Sequence, residues 1–366
     1  MRNLRSRTSA ALTLLAAPAV LGAGAASGEG RAQSLTETLL SETGGPAVGV
    51  VIVEDGTTWT GAAALRRSGR DTGVTPDDLW HLGSLGKAMT AFLAAREVHA
   101  GRIGWDDTVG QVLGDVPQAI HPAVQDVTLA ELLTHRSGMV ANLGLLSTLR
   151  LAGDRATRDV MADRHAYAAR VLGRAPAGER GAFLYSNAGY VVAGAMLEAA
   201  AGAGWETLMA REVFGPLGMT GAGFGAPGHA GALDQPLGHR AGLWGLRAVQ
   251  PGPRADNIPA LGPAGTVHLP LGDMGRWLRA HLDRDPTLLP PGGWARLHTP
   301  PAGGDYAPGW VVRPDGRLWH NGSNTYWYAE ATIWPDAGRA LFLVANSGDL
   351  KRFPKVFDAA AERAFD

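Results

Sequence analysis

The chain has 366 residues, 45% of them hydrophobic, and sets 33 Lys and Arg against 34 Asp and Glu for a formal net charge of −1. With no cysteine it has no disulfide, no thiolate chemistry and no cysteine-based zinc site, and with no basic excess it has no field to hold nucleic acid. The length exceeds that at which one hydrophobic core usually stops growing, so two lobes are expected.

In chain order, Arg2, Arg5 and Arg7 precede an apolar run from Ala10 to Leu21 and the small residues Ala23-Gly24-Ala25-Ala26. This is the pattern of a secretory signal peptide cleaved near Ala25 or Ala26. Residues 1–26 are therefore expected to be missing from a mature protein that is periplasmic or secreted. Losing the three arginines takes the formal charge from −1 to −4. An uncleaved anchor is the alternative, but the run is short for a bilayer span and contains Pro18, so no stable membrane anchor is expected. Beyond the leader, Ala47 to Val53 is a short apolar run, Asp55-Gly56 is a hairpin signal, and Thr57 to Ala63 returns as a second strand.

The next stretch, His81-Leu82-Gly83-Ser84-Leu85-Gly86-Lys87, carries the first chemistry. Leu85, Met89, Phe92 and Leu93 follow helical spacing, Arg96 interrupts the stripe, and Gly101 is a C-terminal stop. Ser84 and Lys87 stand three apart, so a helix puts hydroxyl and amine on one face. The chain uses thirty arginines but only three lysines, Lys87, Lys351 and Lys355. Arg keeps its proton in proteins, whereas a desolvated Lys can release one and then accept one from a nucleophile. Lys87 therefore reads as a proton-transfer residue, against the plain alternative of a surface Lys behind a Ser cap. A phosphate-binding loop is excluded because His81 and Ala88 occupy its glycine and hydroxyl positions, and a nucleophile elbow because Leu82 replaces its first glycine.

The middle of the chain, about 84 to 215, reads mostly helical, with segments near 128 to 135, 157 to 173 and 188 to 201, the last stopped by Gly202. Ahead of it, Tyr185-Ser186-Asn187 reads as a loop. A neighbouring ammonium lowers the pKa of a phenol, so Tyr185 and Lys87 could share one proton and relay it to a leaving group. Asn187 offers a donor and an acceptor for an amide or ester, the alternative being an Asn cap after a buried Tyr. Residues 221 to 265, rich in Gly and Pro, read as an extended excursion on the surface rather than a domain.

Near the C-terminus, Leu318 to His320, Thr325 to Trp334 and Ala340 to Ala345 read as strands, with a Pro335 to Gly338 turn and a closing helix from about Pro354. His320-Asn321-Gly322-Ser323 ends the first of these. Gly322 would let a substrate approach the backbone closely, and the Ser323 N–H would join the Ser84 N–H as an oxyanion hole. His320 would add a polar or cationic group, or be a satisfied structural histidine. Trp310, Trp319, Trp327 and Trp334 are candidates for an apolar acyl pocket or for plain sheet packing.

The order Ser-x-x-Lys, Tyr-x-Asn, His-x-Gly resembles the serine β-lactamase and penicillin-binding-protein superfamily, in its branch of class C β-lactamases, D-alanyl-D-alanine carboxypeptidases and esterases. Leu132-Leu133-Thr134-His135-Arg136-Ser137-Gly138-Met139, Phe183-Leu184-Tyr185-Ser186-Asn187-Ala188-Gly189-Tyr190, Phe214-Gly215-Pro216-Leu217-Gly218-Met219 and Gly262-Pro263-Ala264-Gly265-Thr266 are similar to the family's recurring segments, in family order. The resemblance covers about 35 to 366. It implies a β-lactamase/transpeptidase-like fold: an α/β lobe (about 35–80 and 260–366) whose antiparallel sheet comes from both chain ends, and an inserted all-α lobe (about 84–255). It also implies that Ser84 attacks a carbonyl, Lys87 with Tyr185 takes its proton, Tyr185 protonates the leaving group, and water releases the acyl-enzyme. Neither a metal nor an organic cofactor is implied.

Where class C β-lactamases usually have Lys-Thr-Gly, this chain has His320-Asn321-Gly322. His is only partly charged near neutral pH, so the permanent partner of a substrate carboxylate is missing. The expected function is an exported serine hydrolase cleaving a small ester, amide or peptide, D-amino-acid peptides included, through an acyl-enzyme on Ser84. The alternatives are a β-lactamase or D-alanyl-D-alanine carboxypeptidase, and a binding protein that keeps the cleft without turnover.

Overall fold

The first hairpin sets the sheet. Strand β1 (Ala47–Glu54) is buried along nearly its whole length and turns into β2 (Thr57–Ala64) through Asp55 and Gly56. Their φ values of 50 and 70° are the left-handed pair that a two-residue hairpin requires. A strand covered on both faces needs a partner at its other edge. That partner comes from the far end of the chain: β12 (Arg339–Ala345) runs antiparallel to β1 from Val48↔Ala345 to Glu54↔Arg339.

A computed structural model, the structure describes residues 28–114, 119–144, 159–242, 245–252 and 254–365; the expected leader, 1–26, lies outside them. The remaining strands are β3 (Trp80–His81), β4 (Gly223–Phe224), β5 (Gly238–Gly242), β6 (Gly245–Val249), β7 (Val267–Leu269), β8 (Tyr306–Ala307), β9 (Trp310–Val312), β10 (Leu318–Ser323) and β11 (Tyr328–Trp334). The main sheet has the order β2-β1-β12-β11-β10-β9-β8, antiparallel throughout. β11 starts three residues later than its β-rich sequence suggests. Thr325 sits at φ 75°, and Ser323 Oγ and Asn324 Oδ1 accept the Thr325 and Tyr326 amides, so side chains close a turn there instead.

Alternation along β1 separates two cores, as the period of a strand demands. Val48, Val50 and Ile52 face helices Gly28–Thr43 and Phe353–Arg363, packing with Leu39, Leu341, Phe353 and Phe357. Ala47, Val51 and Val53 face the larger core, where helix Leu271–Asp283 lies against the sheet through Leu271, Met274, Trp277 and Leu278. Gly49 and Gly275 make that approach possible: a Cβ on Gly275 would stand 2.4 Å from Thr58 Cγ2, and one on Gly49 3.1 Å from Leu271. The N-terminal helix and the Leu271 helix, unremarked in the sequence reading, thus sandwich the hairpin.

The same large core continues through helices Gly86–His99, Leu129–Leu133, Val160–Leu172, Asn187–Ala201 and Trp205–Met209. Arg164, fully buried, ties three of them together through Glu198 and Glu206. The Gly86–His99 helix is buried on nearly every side rather than along one stripe, which is what an apolar helix at the centre of a core requires. Arg96 is only partly covered and reaches out to Leu288 O. Residues 221–265 are more ordered than their composition suggests. β4 pairs with β7, which also holds β3, and the β5–β6 hairpin is anchored where the His239 amide donates to Tyr326 O.

Nothing stands within 4 Å of a Cβ placed on Gly56, so a substitution there tests the backbone alone. Gly56→Ala is expected to destabilise by about 1 kcal/mol in urea unfolding, and Gly56→Asn by clearly less, because Asn tolerates the left-handed region.

Candidate active site

Ser84 lies in a short 3₁₀ turn, Gly83–Leu85, that runs directly into the Gly86–His99 helix. Three glycines, one of them in the turn, bring two other stretches of backbone against it. Gly83 itself is at φ 54°, and a Cβ on it would meet Ser323 N at 2.3 Å. One on Gly322 would meet Leu82 O at 2.1 Å and Ser84 N at 2.6 Å, and one on Gly265 would meet Gly83 O at 2.6 Å. The bare backbone at Gly322 therefore admits the Ser84 turn, where the sequence suggested room for a substrate.

Lys87 is completely buried. Its amine stands 2.9 Å from Ser84 Oγ and donates to Ala264 O at 2.6 Å. It lies 5.0 and 5.5 Å from the ring centres of Tyr185 and Tyr190. Loss of water pushes its pKa below the usual 10.5, and Tyr185, through its charge and a hydrogen bond, offsets only part of that. A neutral Lys87 keeps its donation to Ala264 and turns a lone pair towards the Ser84 hydroxyl.

Tyr185 is positioned from below by His135, a residue the sequence reading quoted only within a family segment. His135 has φ 59°, its carbonyl accepts the Leu184 amide, and its Nδ1 accepts the Ser186 amide at 3.0 Å. Its ring lies 4.2 Å from that of Tyr185 and 4.6 Å from that of Tyr306. Burial first of all, and then the nearness of the Lys87 and His320 side chains, which any protonation would set against it, lowers its pKa to about 2, so it stays neutral. Ser186, not Asn187, caps the following helix by accepting the Gly189 amide. Asn187 is the first helical residue and donates to Asn142 Oδ1 at 3.0 Å.

β10 supplies the opposite wall. His320 is buried, its Nδ1 donates to Asn321 O, and its Nε2 accepts from Tyr306 Oη at 2.9 Å. Burial first, and Lys87 second, lower its pKa to about 3. The cationic role considered for His320 is thus corrected: the ring is neutral and both nitrogens are engaged. Arg317 O accepts the Arg313 amide, so odd-numbered residues of this antiparallel strand direct N–H and C=O towards the β9 edge. β9 pairs only with Leu318 and Trp319. The outward N–H of Ser323 therefore faces the cavity beside Ser84, as an oxyanion donor must, while Asn321 O is taken by His320 Nδ1.

A cavity of about 360 Å³ opens there, lined by Ser84, Phe183, Tyr185, Tyr306, Trp319 and His320 among others, with Gly322 and Ser323 at its strand edge. Asn187 is not part of that lining. Of the four tryptophans considered, only Trp319 contributes: Trp310 packs on His281, Trp327 on Trp80 and Trp334 on Phe365. Phe183, 55% exposed, forms the lip. Sequence reasoning missed Tyr306 and Phe183, although Phe183 stands two residues from Tyr185. Among the described residues no group of three or more His, Asp or Glu is placed to hold a metal ion.

A family model described as Beta-lactamase matches residues 32–365. The chain is 26% identical over 357 residues to the unguisins hydrolase ungD′ of Aspergillus campestris, covering 88% of this chain and 64% of that protein. It is 27% identical over 252 residues to penicillin-binding protein 4 of Amycolatopsis lactamdurans, covering 69% and 63%. It thus spans slightly less than two thirds of these relatives' length. A solved structure of SurE with D-Leu superposes with a TM-score of 0.70 at 25% identity, covering 91% of this chain and 74% of that one.

Two substitutions separate proton transfer from charge and from backbone placement. Lys87→Arg keeps the cation but is expected to slow labelling of Ser84 by a fluorophosphonate by at least about 10²-fold. Gly322→Ala, which forces β10 off the Ser84 turn, is expected to slow the same labelling by about tenfold or more. Rates near that of the unmodified protein in either variant would contradict the geometry described.

Proposed function

The chain belongs to the Beta-lactamase family, and from that premise and the geometry of its cavity we propose an exported serine hydrolase that cleaves a small ester or amide through an acyl-enzyme on Ser84. The observation that carries this reading is the fully buried Lys87 amine 2.9 Å from Ser84 Oγ, its pKa lowered by burial. In this mechanism the neutral amine removes the hydroxyl proton as Oγ attacks the carbonyl carbon. The Ser84 and Ser323 amides hold the oxyanion, each worth on the order of 10² to 10³ in rate. Tyr185, beside the amine, hands its proton to the departing alkoxide or amine and is reprotonated by the Lys87 ammonium; water then attacks the acyl-enzyme, its proton passing through the same pair to Ser84 Oγ as the acid leaves.

The wall formed by Phe183, Tyr306, Val311 and Trp319 suits an apolar acyl group. A relative named as a hydrolase and a structural neighbour crystallised with D-Leu support hydrolysis, with D-amino-acid peptides among the substrates to try. The neutral, doubly engaged His320 offers no cation for the carboxylate of a β-lactam or a C-terminal D-alanine, which ranks β-lactamase and carboxypeptidase activity below esterase or amidase activity. Export rests on the pattern of residues 1–26; among the described residues no helix is long and apolar enough to cross a membrane.

The test is a substrate panel run on the unmodified protein and on Ser84→Ala. Short p-nitrophenyl esters and D-amino-acid amides are expected to be turned over with a kcat/KM at least about tenfold above that of a chromogenic cephalosporin, and Ser84→Ala is expected to abolish both turnover and fluorophosphonate labelling. Faster cephalosporin turnover would favour a β-lactamase. No Ser84-dependent labelling would favour a binding protein.

A further inference from the structure

The proposed reaction needs two amides and one amine held in register, and three stretches far apart in the chain supply them: the Ser84 turn, the end of β10, and the backbone around Ala264. One dipeptide, Asp256-Asn257, in the segment between β6 and β7, touches all three. Asp256 Oδ2 accepts from His81 Nε2 at 2.9 Å, and Asp256 Oδ1 accepts from Asn324 Nδ2 at 2.9 Å. His81, wholly buried, accepts the Gly83 amide on Nδ1 at 3.0 Å. Asn257 Nδ2 donates to Gly265 O at 2.8 Å, next to the Ala264 carbonyl that holds Lys87.

Because the Gly83 N–H points at Nδ1, the proton of the His81 ring is on Nε2, and the Asp256 carboxylate is the group that selects this tautomer. The same carboxylate reaches Asn324, whose amide neighbour is Ser323. We propose that Asp256 and His81 are positioning residues for the hydrolysis inferred above, locking the Ser84 and Ser323 amides into one oxyanion site from behind without touching substrate. A carboxylate is needed rather than an amide. Three donors converge on its two oxygens, His81 Nε2–H on Oδ2 and Asn324 Nδ2–H with the Asn257 N–H on Oδ1, and an amide has only one oxygen to offer.

The inference rests on the proposed function, so its test has one readout that does not. Asp256→Asn leaves at least one converging donor facing an NH₂ group. It is expected to lower the fluorophosphonate labelling rate of Ser84 and kcat on p-nitrophenyl acetate by about ten- to hundredfold, normalised to the fraction that labels at completion, with KM within about twofold. In the double exchange Asp256→Asn with Asn324→Asp, the amide at 256 accepts from His81 and donates to the carboxylate at 324, and only the Asn257 N–H is left facing the NH₂ group. It is expected to raise the rate at least about threefold above that of Asp256→Asn. Separately, ¹⁵N chemical shifts of the His81 ring in the unmodified protein are expected to show the Nε2-protonated neutral tautomer. An Asp256→Asn rate equal to the original, a folded double exchange without recovery, or an Nδ1-protonated or doubly protonated His81 would each overturn the proposal. If Ser84 in the unmodified protein does not label at all, the hydrolase reading fails, and the ring tautomer alone decides whether the brace exists.

Discussion

An amine taken wholly out of water is a poor place for a positive charge, and the active site is organised around that fact. Lys87 has a serine hydroxyl, a backbone carbonyl and two tyrosine rings for neighbours. Those neighbours can hold a neutral amine as readily as an ammonium, which is the condition for a base. An exposed lysine at the same spacing would stay protonated and do nothing to Ser84. The requirement propagates outward: the helix carrying Lys87 must be buried on all sides, so it sits between the Asn187–Ala201 helix and the strands instead of on a surface.

Burying that helix end brings main chain against main chain, and only glycine permits it. Gly83, Gly265 and Gly322 come from three distant parts of the sequence and each lacks the Cβ that would collide with a neighbouring backbone. β10 can press its open edge on the Ser84 turn because its pairing with β9 ends at Trp319, and it is held in the sheet by β11 on the other side. The long β1–β12 pairing, far from the chemistry, fixes where β11 and β10 lie. A sheet made from both chain ends is therefore the frame on which the proposed oxyanion edge is hung.

Much of this could be read from the letters. The hairpin at Asp55-Gly56 was legible because a two-residue turn demands left-handed residues, and Lys87 was legible because a chain that otherwise favours arginine placed a lysine three residues after a serine. Tyr185 followed from its place before a helix. What could not be read depended on partners far away in sequence. The neutrality of His320 is set by Tyr306 and by a burial that no local pattern announces. Asn187 stands outside the cavity lining, and the cap that was its plain alternative belongs to Ser186. Asp256 lies 175 positions from His81, in a Gly- and Pro-rich segment with no periodicity to betray its contacts.

The account stands on the protonation of one side chain, and the protein's three lysines make that directly measurable. With lysine carrying ¹³C at Cε, three resonances are expected, and the one missing in Lys87→Arg reports the buried amine. Its titration midpoint is predicted to lie below the ordinary lysine value of 10.5, in keeping with burial outweighing the attraction of Tyr185. A midpoint at or above that value would mean that Lys87 remains an ammonium, and that the base for Ser84 lies elsewhere.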